Sequence, residues 1–216
     1  SISHMRKILI FVVFLFFFLF AAKIVGAEGQ EKFITIVNPV RISSYTGDAA
    51  GSLRGEYDVV KSQGLSATWL FTFDAISDEG IIEEARKMDK NQEFGIFLEV
   101  TPKFAQTAGV TYHGTGFWHH AVSVFLSGYT QEERRLLIDG VFEEFKKTFG
   151  YYPTSVGSWW TDSFSLAYME EKYGITANLT VSDQFSTDGY QVWGQPWAIP
   201  YYPSKFFTGV PATNGD

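Results

Sequence analysis

The sequence predicts an α/β fold whose strands run parallel. Short runs of β-branched and aromatic residues alternate five times with segments that carry helical periodicity or helix-capping residues. Such alternation is typical of parallel strands joined by right-handed helical crossovers. The chain has no cysteine, which excludes disulfides, thiolate metal sites and a cysteine nucleophile. The predicted strands cover residues 33–37, 67–72, 94–100, 154–157 and 175–181.

The N-terminal segment, residues 1–27, is predicted to be a secretory signal peptide and not part of the fold. A short basic region follows the expected initiator Met5, and residues 1–4 are extra to this pattern. Residues 8–22 are an unbroken apolar run, shorter than the about 20 residues that a membrane span needs. Residues 25–27 offer the small or aliphatic side chains of a cleavage site. We expect a secreted or cell-surface protein, with membrane contact only through the leader and only where the leader stays uncleaved.

Residues 28–216 are expected to form one domain, because this length is sufficient to bury a core. Three of the 17 basic residues lie in the leader, so 14 remain against 24 acidic side chains. A strong negative balance argues against nucleic acid and against anionic membrane surfaces as partners.

The first half of the domain is predicted to contain three strands and two helices. The first strand is expected to stop at Pro39, because proline cannot donate a backbone hydrogen bond. A helix over residues 55–63 then ends at Gly64, a residue suited to a helix C-terminus. The second helix covers residues 78–88, with acidic residues in its first turn and an apolar face. After the third strand, residues 101–129 form a long connection whose aromatic content argues for a folded structure.

The second half is predicted from helix-capping signals. Thr130 and Glu133 form a capping box, so a helix starts there, and Gly150 ends it. Asp162 is a natural N-cap for a further helix, which Gly174 closes. After residue 182 the helical pattern stops, and the tail is rich in glycine, proline and aromatic residues.

Residues that follow the strands are the candidate site, because ligands of parallel α/β folds bind at the carboxyl ends of the strands. Glu99 is the leading candidate. A carboxylate at the end of an apolar strand is partly desolvated, which favours general acid/base use. The alternative is a carboxylate that caps a nearby loop amide. Polar residues after the other strands are predicted to bind substrate: Asn38, Asp74 and Asp183.

Every histidine after the leader lies within residues 113–120. His113 and His119 are the candidate ligands of a divalent metal, with Glu99 completing the site. The spacing follows no regular metal motif, and His119 and His120 are adjacent, so on a strand they face opposite ways. The alternative is a group of surface or packing histidines in a folded loop.

Asp162 and the tryptophans complete the predicted site. Asp162 is an N-cap at the rim of the sheet, where a catalytic role is compatible with capping. Flat aromatic faces with polar tips suit the C–H faces and hydroxyl groups of sugars. The alternative is an aromatic core or a protein partner surface. The tryptophans predicted to contact substrate are Trp118, Trp159, Trp160 and Trp193.

Residues 128–138, 149–153 and 163–175 resemble polysaccharide deacetylases, and members of that superfamily have a strand similar to residues 67–71. The resemblance covers roughly residues 33–182 at the level of architecture. It implies a (β/α)7-type distorted barrel that acts on carbohydrate. Five strands do not close such a barrel, so we expect the domain over residues 28–216 to be incomplete at its C-terminus or to form an open sheet.

The catalytic motifs of these deacetylases are missing from the chain. Where they have paired aspartates after the first strand, this chain has Asn38 and Pro39. Their two histidines four residues apart correspond to Glu99 and Lys103, and their Arg-x-Pro corresponds to residues 158–160. The resemblance therefore does not imply the usual zinc-dependent site. Similar distorted-barrel glycoside hydrolases use two carboxylates, a chemistry that Glu99 fits when paired with Asp162 or Asp183.

These observations predict a secreted, carbohydrate-active hydrolase of glycosidic or ester bonds in a polysaccharide. Glu99 is the expected key carboxylate, and His113, His119 and Asp162 assist as acid/base groups or ligands. The cofactor stays open beyond a candidate divalent metal. The alternative is a catalytically inactive barrel that binds cell-wall or surface glycan.

Overall fold

A computed structural model describes residues 34–117, 119–180 and 200–213. The chain divides into two compact units, Ser1–Thr35 and Ile36–Asp216, and the described helices and strands lie in the second. The predicted signal peptide, Trp118, Asp183 and Trp193 lie outside the described residues. None of the described helices is long and apolar enough to cross a membrane.

In the described residues, five parallel strands form one sheet whose spatial order follows the chain. Because the order never reverses, each crossover advances in the same direction, as in a β/α barrel and unlike a doubly wound sheet. The predicted fold class is confirmed: a curled parallel half-barrel is surrounded by helices. The strands are β1 (Val37–Val40), β2 (Thr68–Phe71), β3 (Glu93–Phe97), β4 (Ser155–Ser158) and β5 (Ala177–Thr180).

The described helices begin mostly at a threonine or aspartate whose side chain accepts a backbone N–H of the first turn. The predicted capping box of Thr130 and Glu133 is confirmed, and Gly150 closes that helix with a φ of 87°. The helices are α1 (Ala49–Ser62), α2 (Phe73–Ile76), α3 (Glu79–Ala85), α4 (Pro102–Thr107), α5 (Ala121–Val124), α6 (Gln131–Phe149) and α7 (Ser163–Tyr173), with a 3-10 turn at Leu126–Gly128.

Side chains of the strands alternate between two faces. Trp69 and Phe71 belong to the core that packs against the helices. Leu70 points to the other face, where Gly95 and Gly157 leave room for it: a Cβ on either glycine would lie 2.6 Å from the leucine side chain. Gly95 and Phe97 of β3 lie on this second face. If the alternation continues past the end of the strand, the side chain of Glu99 lies on the same face.

The first strand lies further along the chain than predicted. It spans Val37–Val40 instead of residues 33–37, so Asn38 is half-buried inside the strand and does not follow it. The prediction failed because it treated Pro39 as the end of the strand. The residue that follows β1 is Arg41.

Pro39 is tolerated because β1 is an edge strand of the described sheet. The N–H of Thr68 donates to the carbonyl of Ile36 at 2.9 Å, and that of Thr72 donates to the carbonyl of Val40 at 3.0 Å. Even-numbered residues of β1 therefore bond to β2, and the proline nitrogen is turned away from it. No hydrogen bond between these two strands is lost.

Candidate functional site

Glu99 lies at the centre of a charged and aromatic cluster at the carboxyl ends of the strands. The glutamate is 8% exposed to solvent. Arg41 donates from Nη2 to Oε1 at 2.8 Å, and its Nε lies 2.7 Å from Oε2. The indole Nε1 of Trp159 donates to Oε2 at 3.3 Å, and the guanidinium carbon of Arg41 lies 5.1 Å from the centre of the Trp159 ring. The guanidinium thus makes a hydrogen bond to one carboxylate oxygen and a close ionic contact with the other.

The backbone on both sides of Glu99 is fixed by hydrogen bonds. The N–H of Leu98 donates to the carbonyl of Gly157 at 2.7 Å, and the hydroxyl of Ser158 donates to the carbonyl of Leu98 at 2.9 Å. On the other side, the N–H of Val100 donates to the carbonyl of Val124 in α5 at 2.9 Å. Because neighbouring elements hold the chain before and after it, the carboxylate is preorganised.

Asp74 is a second carboxylate near Glu99, in the first turn of α2. The hydroxyl of Thr101 donates to its Oδ1 at 3.1 Å. Burial raises the pKa of Asp74 above its ordinary value, and the negative charge of Glu99 adds a smaller contribution in the same direction. The Thr101 hydrogen bond and the charge of Lys103 oppose these effects without cancelling them. Two carboxylates in unlike surroundings therefore share this rim of the sheet.

Tyr112 borders the same cluster from the connection between α4 and α5. Burial raises the pKa of its phenol, a hydrogen bond with Ser123 opposes that rise, and the charge of Glu99 contributes to it. The phenol is therefore neutral near pH 7 and carries a proton that it can donate.

Asp162 is the N-cap of α7, as predicted. Its Oδ1 accepts the backbone N–H of Ser165 at 3.0 Å and the Nη1–H of Arg134 at 2.9 Å, and its Oδ2 accepts the Ser165 hydroxyl at 2.7 Å. Arg134 also donates to the carbonyls of Tyr129 at 2.7 Å and Ser127 at 3.1 Å. These contacts join α7 to the start of α6. The catalytic role predicted for Asp162 stays a prediction.

The predicted histidine cluster is built into the connection between α4 and α6. The ring of His113 stacks on Tyr129 with centroids 4.4 Å apart, and its Nδ1 lies 2.9 Å from the carbonyl oxygen of Gly128, which requires a proton on that nitrogen. Nδ1 of His120 contacts the hydroxyl of Thr115 at 2.8 Å. Within the described residues, no hydrogen bond or ion pair joins His113 to Glu99.

The described residues do not fit the divalent metal that the sequence suggested. In the part of the chain that the structure describes, no three histidine, aspartate or glutamate side chains lie close enough together to hold an ion. Both oxygens of Glu99 contact the guanidinium of Arg41, and the His113 ring is packed on Tyr129. The predicted site of Glu99, His113 and His119 is therefore not assembled.

Residues 200–213 add aromatic rings beside the carboxyl end of β4. The hydroxyl of Thr208 donates to the carbonyl of Thr161 at 2.6 Å, which attaches this segment to the connection between β4 and α7. The rings of Trp160 and Phe207 lie 5.3 Å apart, and about half of Phe207 is exposed. Trp160, predicted to bind substrate, thus has an exposed aromatic neighbour.

No protein-family model matches the chain, and no curated protein matches it. A solved structure described as a "putative glycoside hydrolase/deacetylase" from Parabacteroides distasonis is similar, with a TM-score of 0.50 and 18% sequence identity. The match covers 83% of this chain but only 41% of that protein. A family 4 carbohydrate esterase from Streptomyces lividans matches with a TM-score of 0.45 and 12% identity, over 73% of this chain and 67% of that one. The likeness to the first structure concerns the fold.

Arg41, Thr101 and Tyr112 were not predicted as site residues. A signal for Arg41 exists in the sequence, because it is the one basic residue in positions 33–53 and directly follows Pro39 and Val40. Thr101 and Tyr112 carry no such signal, since their proximity to Asp74 and Glu99 depends on how the connection after β3 folds.

Proposed function

We propose that the chain is a carbohydrate-active hydrolase that cleaves glycosidic or ester bonds in a polysaccharide. The observation that carries the proposal is the pair of carboxylates, Glu99 and Asp74, on one rim of a parallel half-barrel. Their surroundings differ, since Glu99 contacts a guanidinium, whereas Asp74 is desolvated and no cation among the described residues bonds to it directly. Titratable groups in contrasting environments are the usual basis for dividing acid and base roles in a hydrolase.

Asp74 is proposed as the proton donor. Because burial raises its pKa, a larger fraction of this carboxyl is protonated at a given pH than for an exposed aspartate. A protonated carboxyl can transfer its proton to the oxygen of the leaving group. Lys103 and Thr101 moderate the shift, which keeps the group able to give up the proton.

Glu99 is proposed to act on the opposite side of the reaction, as the base that takes a proton from water or as the carboxylate that faces developing positive charge. The two-carboxylate arrangement is the one used in glycoside hydrolysis. For an ester, the same base activates water, and Tyr112 or Arg41 would donate a hydrogen bond to the developing oxyanion.

The substrate is proposed to be a glycan because aromatic rings flank the carboxylates. Trp159 contacts Glu99 directly, and Trp160, on the connection that follows β4, lies 5.3 Å from the ring of Phe207. Such rings match the apolar faces of sugars. The basic and apolar pattern of residues 5–27 supports action outside the cytoplasm, and the negative net charge argues against nucleic acid as substrate.

A second candidate function is glycan binding without turnover. The observation that favours it is that both oxygens of Glu99 already have hydrogen-bond or ion-pair partners. A carboxylate fixed in this way can orient a sugar hydroxyl through Arg41 and Trp159 without taking part in chemistry.

The test uses the full chain and a panel of soluble polysaccharides, each in native and acetylated form. New reducing ends report glycoside cleavage, and released acetate reports ester cleavage. We expect one of the two products, and we expect its loss in Glu99→Gln and in Asp74→Asn. Glu84→Gln is the matched control, because Glu84 also pairs with an arginine, Arg54, but lies on α3 away from the rim.

Three outcomes are informative. Product formation that survives both site substitutions would place the reaction elsewhere in the protein. Calorimetric binding of a glycan with neither product would favour the second candidate. Loss of the product in Glu84→Gln as well would mean that the site variants report general destabilisation.

A further inference from the structure

The Glu99 cluster contains one buried carboxylate, Glu99, and one half-buried carboxylate, Asp74, and this arrangement needs a compensating positive charge. Removing an ionised carboxylate from water is unfavourable unless a cation pairs with it closely. Glu99 and Asp74 are close enough for the charge of one to raise the pKa of the other. A divalent metal is one solution to this problem, and an arginine is another.

Arg41 provides that charge in a geometry that covers both oxygens of Glu99. The Nη2 atom lies 2.8 Å from Oε1, and Nε lies 2.7 Å from Oε2. A metal bound to Glu99 would have to displace these two contacts. Because a guanidinium stays protonated at all ordinary pH values, this positive charge does not depend on pH or on metal supply.

Trp159 fixes the guanidinium on a second side. The indole ring lies 5.1 Å from the guanidinium carbon and donates its N–H to the carboxylate that Arg41 binds. Trp159 is held in turn by an edge-to-face contact with the buried Phe97 at 5.3 Å. Arg41 therefore has a defined position between a carboxylate and an aromatic face.

We infer that the guanidinium of Arg41 is the resident cation of the Glu99 cluster and takes the place that a divalent metal would otherwise hold. The cluster accordingly needs no metal for its structure. This inference concerns how the charges are arranged and holds whether or not the protein hydrolyses a glycan.

The first test measures the melting temperature of the full chain, purified without a metal-affinity step. Wild type and Glu99→Gln are compared in chelator and in added Zn²⁺, Mn²⁺ or Mg²⁺. We expect each addition to change the melting temperature of both proteins by the same amount. A chelator that lowers the melting temperature of wild type alone, or a cation that raises it in wild type alone, would overturn the inference.

The second test separates the charge of Arg41 from the size of its side chain. Arg41→Met is expected to lower the melting temperature because it leaves Glu99 buried without a cation, and Arg41→Met with Glu99→Gln is expected to regain most of the loss. Arg54→Met is the matched control, since Arg54 pairs with Glu84 at a more exposed position. The inference fails if the double variant melts no higher than Arg41→Met, or if Arg41→Met is no less stable than Arg54→Met.

Arg41→Lys serves if Arg41→Met does not fold. The lysine keeps the positive charge but contacts the carboxylate at one point only. The melting temperature of Arg41→Lys is therefore expected to lie between that of wild type and that of the double variant Arg41→Lys/Glu99→Gln. Equal melting temperatures of the single and the double variant would contradict a role for the charge. No substrate enters either test, so a protein without hydrolytic activity leaves the result readable.

Discussion

Two arginine–carboxylate pairs of this protein look alike and differ in what surrounds them. Arg41 pairs with Glu99 and Arg134 pairs with Asp162, and both pairs join distant parts of the chain. Their shielding is similar, because 10% of the Glu99 side chain and 15% of the Asp162 side chain are exposed. The contact distances are also nearly equal.

Asp162 has an evident structural purpose. It accepts the backbone N–H and the hydroxyl of Ser165 at the start of α7, and its partner Arg134 binds two further carbonyl groups. This pair satisfies groups that the fold would otherwise leave without partners.

In the described part of the chain, Glu99 accepts no hydrogen bond from a backbone N–H or a hydroxyl group. Its partners there are a guanidinium and an indole, and it caps no described helix. A buried charge contributes little net stability when a hydrophobic residue could replace the pair. The contrast teaches that similar ion pairs can differ in what else they satisfy, and the remaining partners distinguish the structural pair at Asp162 from the pair at Glu99 that we propose for chemistry.

The largest expected effect is on turnover. If Glu99 is the chemical carboxylate, Glu99→Gln lowers kcat/KM by roughly 10²–10⁴-fold, the range of general acid/base catalysis. Asp162→Asn keeps an acceptor for Ser165 and is expected to change kcat/KM by less than about tenfold. Steady-state rates on the substrate found with the polysaccharide panel measure both values. A larger loss in Asp162→Asn than in Glu99→Gln would reverse the comparison.

The next effect is on stability and concerns Asp162. Asp162→Ala is expected to lower the free energy of unfolding by about 2 to 3 kcal/mol, because it removes an N-cap and leaves Arg134 without its charged partner. Urea unfolding measures the change. Glu171→Ala, an exposed substitution on the same helix, is the control and should change the value by less than about 0.5 kcal/mol. A loss no greater than that of the control would mean that the cap contributes nothing.

A smaller effect links Thr101 to both stability and the site. Thr101→Val removes the N-cap of α4 and should lower the free energy of unfolding by about 1 kcal/mol. It also removes the hydrogen bond that lowers the pKa of Asp74, so that pKa should rise further. Carboxyl-carbon NMR titration follows Asp74 directly, and Thr107→Val on the same helix is the control. A fall in the pKa of Asp74 would show that Thr101 does not stabilise the charged form.

The smallest effect is the pH dependence of stability through Asp74. Burial raises the folded pKa, so between the unfolded and folded pKa values the folded state binds more protons than the unfolded state. The contribution of Asp74 to stability is therefore highest below the unfolded pKa and falls as pH rises to the folded one. Relative to wild type, Asp74→Asn should gain stability across this window in urea unfolding at several pH values. A relative loss of stability over the same interval would reverse the sign assigned to Asp74.

Sequence reasoning predicted the parts of this molecule that depend on local signals. The capping box at Thr130, the cap at Asp162 and the alternation of strands and helices each rest on residues close together in the chain. Arg41 was missed because the end of β1 depends on which strand lies beside Pro39, and that is a property of the whole sheet. The metal-ligand prediction stays a prediction. The packing of His113 could not be predicted for a related reason, since its stacking on Tyr129 brings together residues 16 apart in a connection without a regular pattern.

Leu70 has a consequence for the shape of the candidate site. Its side chain fills the space that Gly95 and Gly157 leave open on the inner face, and the buried Phe97 lies between this level and Glu99 along β3. Leu70 and Phe97 are both buried, so this inner layer is closed to solvent below the level of Glu99. Under the proposed function, a substrate would therefore reach Glu99 from the carboxyl ends of the strands.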